Sequence, residues 1–146
     1  GLLDHVDLLV VNEQEIQVLA GLARIHGSHR DLVRTLPPVL GPAIVCTAGA
    51  EGSHTVVDGT LVHVPATKVT AKDTTGAGDT FVGYLAAALA ASPGGLPAAL
   101  VHATRASAVA VTRSGAMESI PWRHELIPHT PSPATANPPV PSQGVS

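Results

Sequence analysis

Two acidic residues, Asp73 and Asp79, bracket the small-residue run Thr74-Thr75-Gly76-Ala77-Gly78. An apolar, alanine-rich stretch beginning Thr80-Phe81-Val82 follows at once. Glycines let a backbone approach a ligand closely. The free N–H groups of a starting helix, at its positive dipole end, favour an anion. A carboxylate at Asp79 would then stand where a phosphate and a reacting hydroxyl could meet. Phosphoryl transfer is the chemistry this arrangement serves, because positioning and charge stabilisation supply most of its catalysis.

Three other groups of residues bear on chemistry. Asn12-Glu13-Gln14-Glu15 follows a short apolar run. Its Asn-x-x-Glu spacing is that of a capping box, with Asn12 as N-cap and Glu15 reaching back. Thr47-Ala48-Gly49-Ala50-Glu51-Gly52 is a flexible turn after a second apolar run. The eight histidines are scattered. His26 and His29 have the spacing of one helical face, but they flank Gly27-Ser28 and have no acidic or cysteine partner nearby, so no metal site is expected there. Lys68 and Lys72 precede the Asp73 run and read as solvated.

The elements that must carry these residues follow from periodicity and punctuation. Val6 to Val11 and Ala43 to Thr47 read as short buried strands. A helix opens at Asn12 and runs through Leu19, with Gly21 as its stop signal. A second helix spans Ser28 to Leu36 and is broken by Pro37-Pro38. His54 to Val57 and Thr60 to Val64 form a hairpin around Asp58-Gly59. Lys68 to Ala71 reads as a short strand leading into the Asp73 run. Helices are expected over Ala77 to Ala90 and Pro97 to Val111, separated by Ser92-Pro93-Gly94-Gly95, with one more turn at Trp122 to Leu126. This order predicts a layered α/β fold.

Composition narrows the class. With 146 residues there is room for one domain, and 45% hydrophobic with 13% charged residues suits a soluble globular chain. Only 8 residues are Lys or Arg, the formal net charge is −3, and Phe81, Tyr84 and Trp122 are the only aromatics. Nucleic acid is therefore not the expected ligand. No apolar run approaches the roughly 18 residues of a membrane span, and no secretory n-region is present, so a cytoplasmic setting fits. Cys46, the single cysteine, lies in an apolar run and reads as a buried small hydrophobe. Six of the thirteen prolines fall after residue 127, which marks residues 128–146 as a disordered or extended tail. The chain starts at Gly1 almost directly in a strand, as expected of a piece of a longer protein.

The run Asp73-Thr74-Thr75-Gly76-Ala77-Gly78-Asp79-Thr80-Phe81 resembles the second signature of the PfkB carbohydrate kinase family, in its ribokinase-like form. Asn12–Glu15, Thr47–Gly52, Ala110–Ala116 and Ser119-Ile120-Pro121 agree with that family in order and spacing. The resemblance covers residues 1–127. It implies a ribokinase-like fold with a central, mostly parallel sheet flanked by helices, present here as the nucleotide-binding, C-terminal portion. The N-terminal half that grips the sugar is expected outside this chain.

The resemblance also implies roles. Asp79 would be the catalytic base, and Gly76, Ala77 and Gly78 the anion hole. Asn12 and Glu15 would organise Mg2+ and phosphate through water. Asp73 and Thr75 would bind K+ together with Ser119 and the backbone carbonyls of Ala110, Arg113 and Gly115. Thr47, Gly49 and Gly52 would contact the nucleotide, with Thr104 a candidate near the adenine. ATP and a sugar are the implied small-molecule ligands, ribose first. Fructose, a keto-deoxy sugar acid or a nucleoside are the alternatives, as is a non-catalytic nucleotide-binding fragment. A homodimer is implied for the parent protein.

Overall fold

The structure is a computed structural model, and it describes residues 1–91 and 95–126. The expected helix stop at Ser92-Pro93-Gly94 and the proline-rich tail lie outside the described residues. The main elements run β1 (Leu8–Asn12), α1 (Glu13–Ala23), α2 (His29–Thr35), α3 (Pro37–Leu40), β2 (Ala43–Thr47), β3 (Ser53–Val57), β4 (Thr60–Val64), α4 (Ala77–Ala91) and α5 (Leu96–Ala110). Short 3-10 turns add Leu2–His5, Gly49–Glu51 and Arg123–Leu126.

The four strands form one sheet in the order β1-β2-β3-β4. β1 pairs with β2 in parallel, with Val10 opposite Val45 and Asn12 opposite Thr47. The other two pairings are antiparallel. The sheet described is thus mixed rather than mostly parallel. The physical reason is two tight turns: Ala48–Gly52 returns β3 beside β2, and Asp58-Gly59, whose residues both have positive φ (50° and 76°), returns β4 beside β3.

Side chains alternate across this sheet and build a core on each face. Leu9, Val11, Ile44 and Cys46 point to α1 and α2, where Ile16, Ala20, Leu32, Val33 and Leu36 cover them. Leu8, Val10, Val45, Val62 and Val64 point the other way, onto Phe81, Leu85, Ala99, Leu100 and Ala103 of α4 and α5. Val45 and Leu100 are wholly buried, and burying a side chain of that size contributes about 1.5–3 kcal/mol. The layers are therefore helix, sheet, helix, and the α/β expectation is met.

Several boundaries differ from expectation. α1 passes through Gly21 and ends at Arg24, which takes the left-handed conformation (φ 56°) and donates its N–H to the Ala20 and Gly21 carbonyls. An internal glycine costs a helix only about 1 kcal/mol, less than the packing of Ala20 and Ala23 against the core returns. Pro37-Pro38 does not merely break α2; it starts α3, since proline's fixed φ and missing N–H suit a first helical turn. Lys68 to Ala71 is not a strand. That exposed segment runs to the end of α5, where the Lys72 and Asp73 N–H groups donate to the Val111 carbonyl at 2.7 and 3.2 Å.

Candidate active site

The site residues fall into two groups. The first sits at the carboxyl ends of the parallel pair β1 and β2, where open α/β sheets place their ligands. Asn12 ends β1 and caps α1: its Oδ1 accepts the N–H groups of Gln14 and Glu15, each at 2.9 Å. Glu15 Oε2 accepts the Asn12 N–H at 2.8 Å, completing the box. Asn12 Nδ2 and Glu15 Oε1 stay free of the cap, on side chains exposed to solvent.

Across from Asn12, Thr47 leads into a turn closed on itself by Ala48 N–H to Gly52 carbonyl (2.7 Å) and Glu51 N–H to Ala48 carbonyl (2.8 Å). Gly52 is buried at φ 99°, and a Cβ there would meet the Val64 carbonyl oxygen and stand 2.6 Å from the Ala66 nitrogen. Only glycine lets the turn close this tightly on the end of β4. Gly49 has open space around it and faces solvent.

The second group surrounds the start of α4. Asp73 is its hub: Oδ1 accepts the Thr75 N–H at 2.9 Å and Oδ2 accepts the Gly115 N–H at 3.1 Å. Those hydrogen bonds, first from the Thr75 backbone, then its hydroxyl and the Gly115 N–H, hold the Asp73 carboxyl below its ordinary range. Gly76 (φ 76°) presses against Ala116, where a Cβ would stand 3.2 Å from the carbonyl oxygen. Ser119 is fully buried and donates its hydroxyl to the same Ala116 carbonyl at 2.8 Å. Ser107 of α5 donates to the Ala77 carbonyl at 3.1 Å, fixing the first turn of α4.

The 111–126 segment is fastened from outside. Arg113 turns its guanidinium to Glu125, raising its own pKa and lowering that of Glu125. Glu125 also accepts the Trp122 N–H, and Tyr84 donates to the Pro121 carbonyl. Arg113 therefore offers the loop its backbone and not its side chain.

Gly78 and Asp79 lie in the first turn of α4, where backbone N–H groups lack intrahelical acceptors. Asp79 is exposed, and among the described residues its carboxylate has no hydrogen-bond partner. Ala110 ends α5, and its carbonyl accepts the Arg113 N–H at 3.0 Å. Thr104 lies on the buried face of α5 at 8% exposure, its hydroxyl without a partner. Among the described residues no hydrogen bond joins the Asn12–Thr47 group to the Asp73–Gly115 group, or Thr104 to either.

One set of residues was not legible in the sequence. His29 has acidic neighbours after all: its Nδ1 is 3.7 Å from Glu13 Oε1 and its Nε2 is 3.6 Å from Glu51 Oε2. The fold brings α2 over the β2–β3 turn, so the partner of His29 comes from a distant stretch of chain and not from His26. His54, on β3, completes the cluster and is 0% exposed. Burial, then repulsion from His63, Arg30 and His29, pushes its pKa down to about 4 against the pull of Glu51. The inward-facing position of His54 in an alternating strand was the one available signal.

Residues 1–123 match the family described as pfkB family carbohydrate kinase. The chain belongs to the pfkB family. Its relatives include a ribokinase from Staphylococcus aureus (strain COL), 32% identical over 126 residues that span 86% of this chain and 41% of the relative. A fructokinase from Klebsiella pneumoniae is 35% identical over 125 residues, covering 82% of this chain and 40% of the relative. The chain thus spans about two fifths of the length of the curated relatives it matches.

Solved structures agree with the fold. A ribokinase from Thermotoga maritima superposes with a TM-score of 0.78 at 33% identity, over 85% of this chain and 42% of its own. A Cryptococcus neoformans ribokinase in complex with ADP gives 0.76 at 30% identity, over 84% and 45%. A double-mutant fructokinase from Vibrio cholerae O395, in a form with fructose, ADP and potassium ion bound, gives 0.71 at 28%, over 82% and 39%. These matches establish the ribokinase-like α/β fold.

Proposed function

We propose that the chain is the nucleotide-binding portion of an ATP-dependent sugar kinase of the pfkB family, with D-ribose the first candidate substrate and ribose 5-phosphate the product. The observation that carries this reading is the Asp73 carboxylate, which clamps Thr75 and Gly115 together and so holds Gly76 to Asp79 open at the start of α4. Although the Ala77 N–H donates to the Thr74 carbonyl, that geometry leaves the Gly78 N–H and one unengaged carboxylate side by side, the two things phosphoryl transfer to a hydroxyl needs.

In this reading Asp79 orients the sugar hydroxyl and accepts its proton as the oxygen attacks the γ-phosphorus of ATP. Gly76, Ala77 and Gly78 meet the charge that develops on the phosphoryl oxygens. Thr47, Gly49 and Gly52 receive the nucleotide phosphates, and Thr104 is the candidate assigned to the base. Mg2+, when bound, neutralises phosphate charge. The free Glu15 Oε1 and Asn12 Nδ2 suit contact with its water shell, because Mg2+ usually keeps several waters.

A monovalent cation fits the second group. Asp73 uses only part of its acceptor capacity on Thr75 and Gly115. The carbonyls of Ala110, Arg113 and Gly115, the Thr75 hydroxyl and the Ser119 oxygen offer further ligands. K+ there would rigidify the loop under the anion hole. The family relatives named for ribose and for fructose support a sugar as acceptor, and the sugar-gripping residues are assigned to the portion of the parent protein beyond this match.

The test is a pair of measurements. The chain titrated with ADP and Mg2+ should bind nucleotide. The full-length protein given ATP, Mg2+ and K+ should phosphorylate ribose ahead of fructose. Nucleotide binding without transfer to any sugar or nucleoside would overturn the kinase reading in favour of a binding fragment.

A further inference from the structure

His29, Glu51 and His54 converge on one point at the β2–β3 turn, with one ligand-type atom from each lying within 4.8 Å of the others. His29 Nε2 and both ring nitrogens of His54 are buried and have no hydrogen-bond partner among the described residues. An unsatisfied buried polar atom costs about 1–3 kcal/mol, so three within one small cluster call for a missing polar partner. Such groups in a native fold signal a water or an ion.

The chemistry of the cluster distinguishes the two. His29 Nδ1 faces Glu13 Oε1 at 3.7 Å. If Nδ1 carries the proton toward that carboxylate, Nε2 presents a lone pair, not a donor, toward Glu51 Oε2 at 3.6 Å. His54 Nε2 is 4.0 Å from the same oxygen. With the His54 proton on Nδ1, two imidazole nitrogens and a carboxylate point inward with no donor among them, a set that attracts a cation. A carboxylate behind a histidine is also the usual outer partner of a metal-bound imidazole.

We propose that His29, Glu51 and His54 form a binding site for a divalent transition metal of the zinc type, adjoining the Asn12–Glu15 cap through Glu13 and separate from the Asp73–Gly115 group. In a tetrahedral zinc site with ligands at 2.0–2.2 Å, donor atoms stand about 3.3 Å apart. The separations to Glu51 are 3.6 and 4.0 Å, and all three donor atoms lie within 4.8 Å of one another, so the side chains must draw together by up to about 1.5 Å to hold the ion. Water completes the fourth position. His63 supports the site from behind, stacked on His54 with ring centroids 4.5 Å apart and its Nε2 2.8 Å from the Glu51 carbonyl oxygen.

Arg30 opposes the ion: its Nη2 donates to Glu51 Oε2 at 2.9 Å. That pair is about half exposed on both sides, and exposed pairs are worth about 1 kcal/mol or less. The ion would take that same oxygen, so Arg30 must move to Glu51 Oε1 or to solvent, a small loss for a pair this exposed. Bound there, the metal would fasten the start of α2 to the turn that carries Gly49 and Gly52.

The test uses the whole 146-residue chain, made without a histidine tag, freed of metal by chelation and titrated with zinc chloride by calorimetry. One saturable ion per chain is expected, with a rise in Tm that grows with free zinc. Glu51→Gln and His29→Gln should each weaken zinc binding by at least about tenfold, while His26→Gln leaves it unchanged. Excess Mg2+ should not displace zinc, since imidazole donors suit the softer ion. His54→Asn should abolish binding; because His54 is fully buried, the Glu51 and His29 variants decide the matter should that one fail to fold. No saturable binding, or an affinity that follows His26 and ignores Glu51 and His29, overturns the proposal.

Discussion

The starts of α1 and α4 each carry an acidic residue close to a proposed ligand, yet they use it in opposite ways. At α1 the polar side chains satisfy their own helix: Asn12 takes the Gln14 and Glu15 N–H groups, and Glu15 takes the Asn12 N–H. At α4 the helix start is held from outside, by Asp73 bridging Thr75 and Gly115 and by Gly76 resting on Ala116. Asp79 is left with no structural duty. The difference separates stability from chemistry. Changes at Asn12 should be read mainly in folding, and changes at Asp79 mainly in turnover.

The largest expected effect tests the α4 side. Asp79→Asn in the full-length protein should lower kcat by about 10²- to 10⁴-fold, with ADP affinity and Tm close to the unaltered protein. A variant with normal turnover, or one that loses Tm instead, would erase the contrast. Next comes Gly76→Ala. Its positive φ and the close Ala116 backbone make alanine strained, at a cost of about 1–3 kcal/mol, read in a urea midpoint. Nucleotide affinity should fall with it, since the Gly76–Gly78 turn proposed as the anion hole must shift.

On the α1 side, Asn12→Ala should cost about 1 kcal/mol of stability through loss of the cap. Asn12→Asp keeps a capping oxygen and should recover most of that. If nucleotide affinity in the presence of Mg2+ falls in Asn12→Ala but not in its absence, Asn12 serves both roles and the contrast narrows to a matter of degree.

The smallest effect concerns acid. The Asp73 carboxyl is held below its ordinary value of 3.8 in the folded chain. Between the folded and unfolded pKa the unfolded chain binds more protons, so this contribution is present above about pH 4 and is lost as pH falls through the folded value. Asp73→Asn should flatten the stability curve in that window relative to the unaltered chain. An unchanged acid limb would mean that Asp73 does not clamp the loop.

Much of this was legible in the chain itself. The apolar runs Val6–Val11 and Ala43–Thr47 marked strands, Asp58-Gly59 marked the hairpin, and Asn12–Glu15 marked a cap, because each depends on residues within a few positions of one another. Lys68–Ala71 misled, since an exposed polar segment with one valine has no face to bury and follows the end of α5 instead. Gly21 misled because its local helix cost is smaller than the tertiary packing around it.

What the sequence alone determined is the run of small residues between two carboxylates at Asp73–Asp79, the capping pattern at Asn12–Glu15 and the α/β layering, all set by short-range sterics, hydrogen bonding and periodicity. Only the tertiary structure decided that Gly115 closes on Asp73, that Gly52 must yield to the end of β4, and that His29, Glu51 and His54 meet at one point. Those meetings depend on where two core-forming faces bring distant segments together, and no local spacing records it.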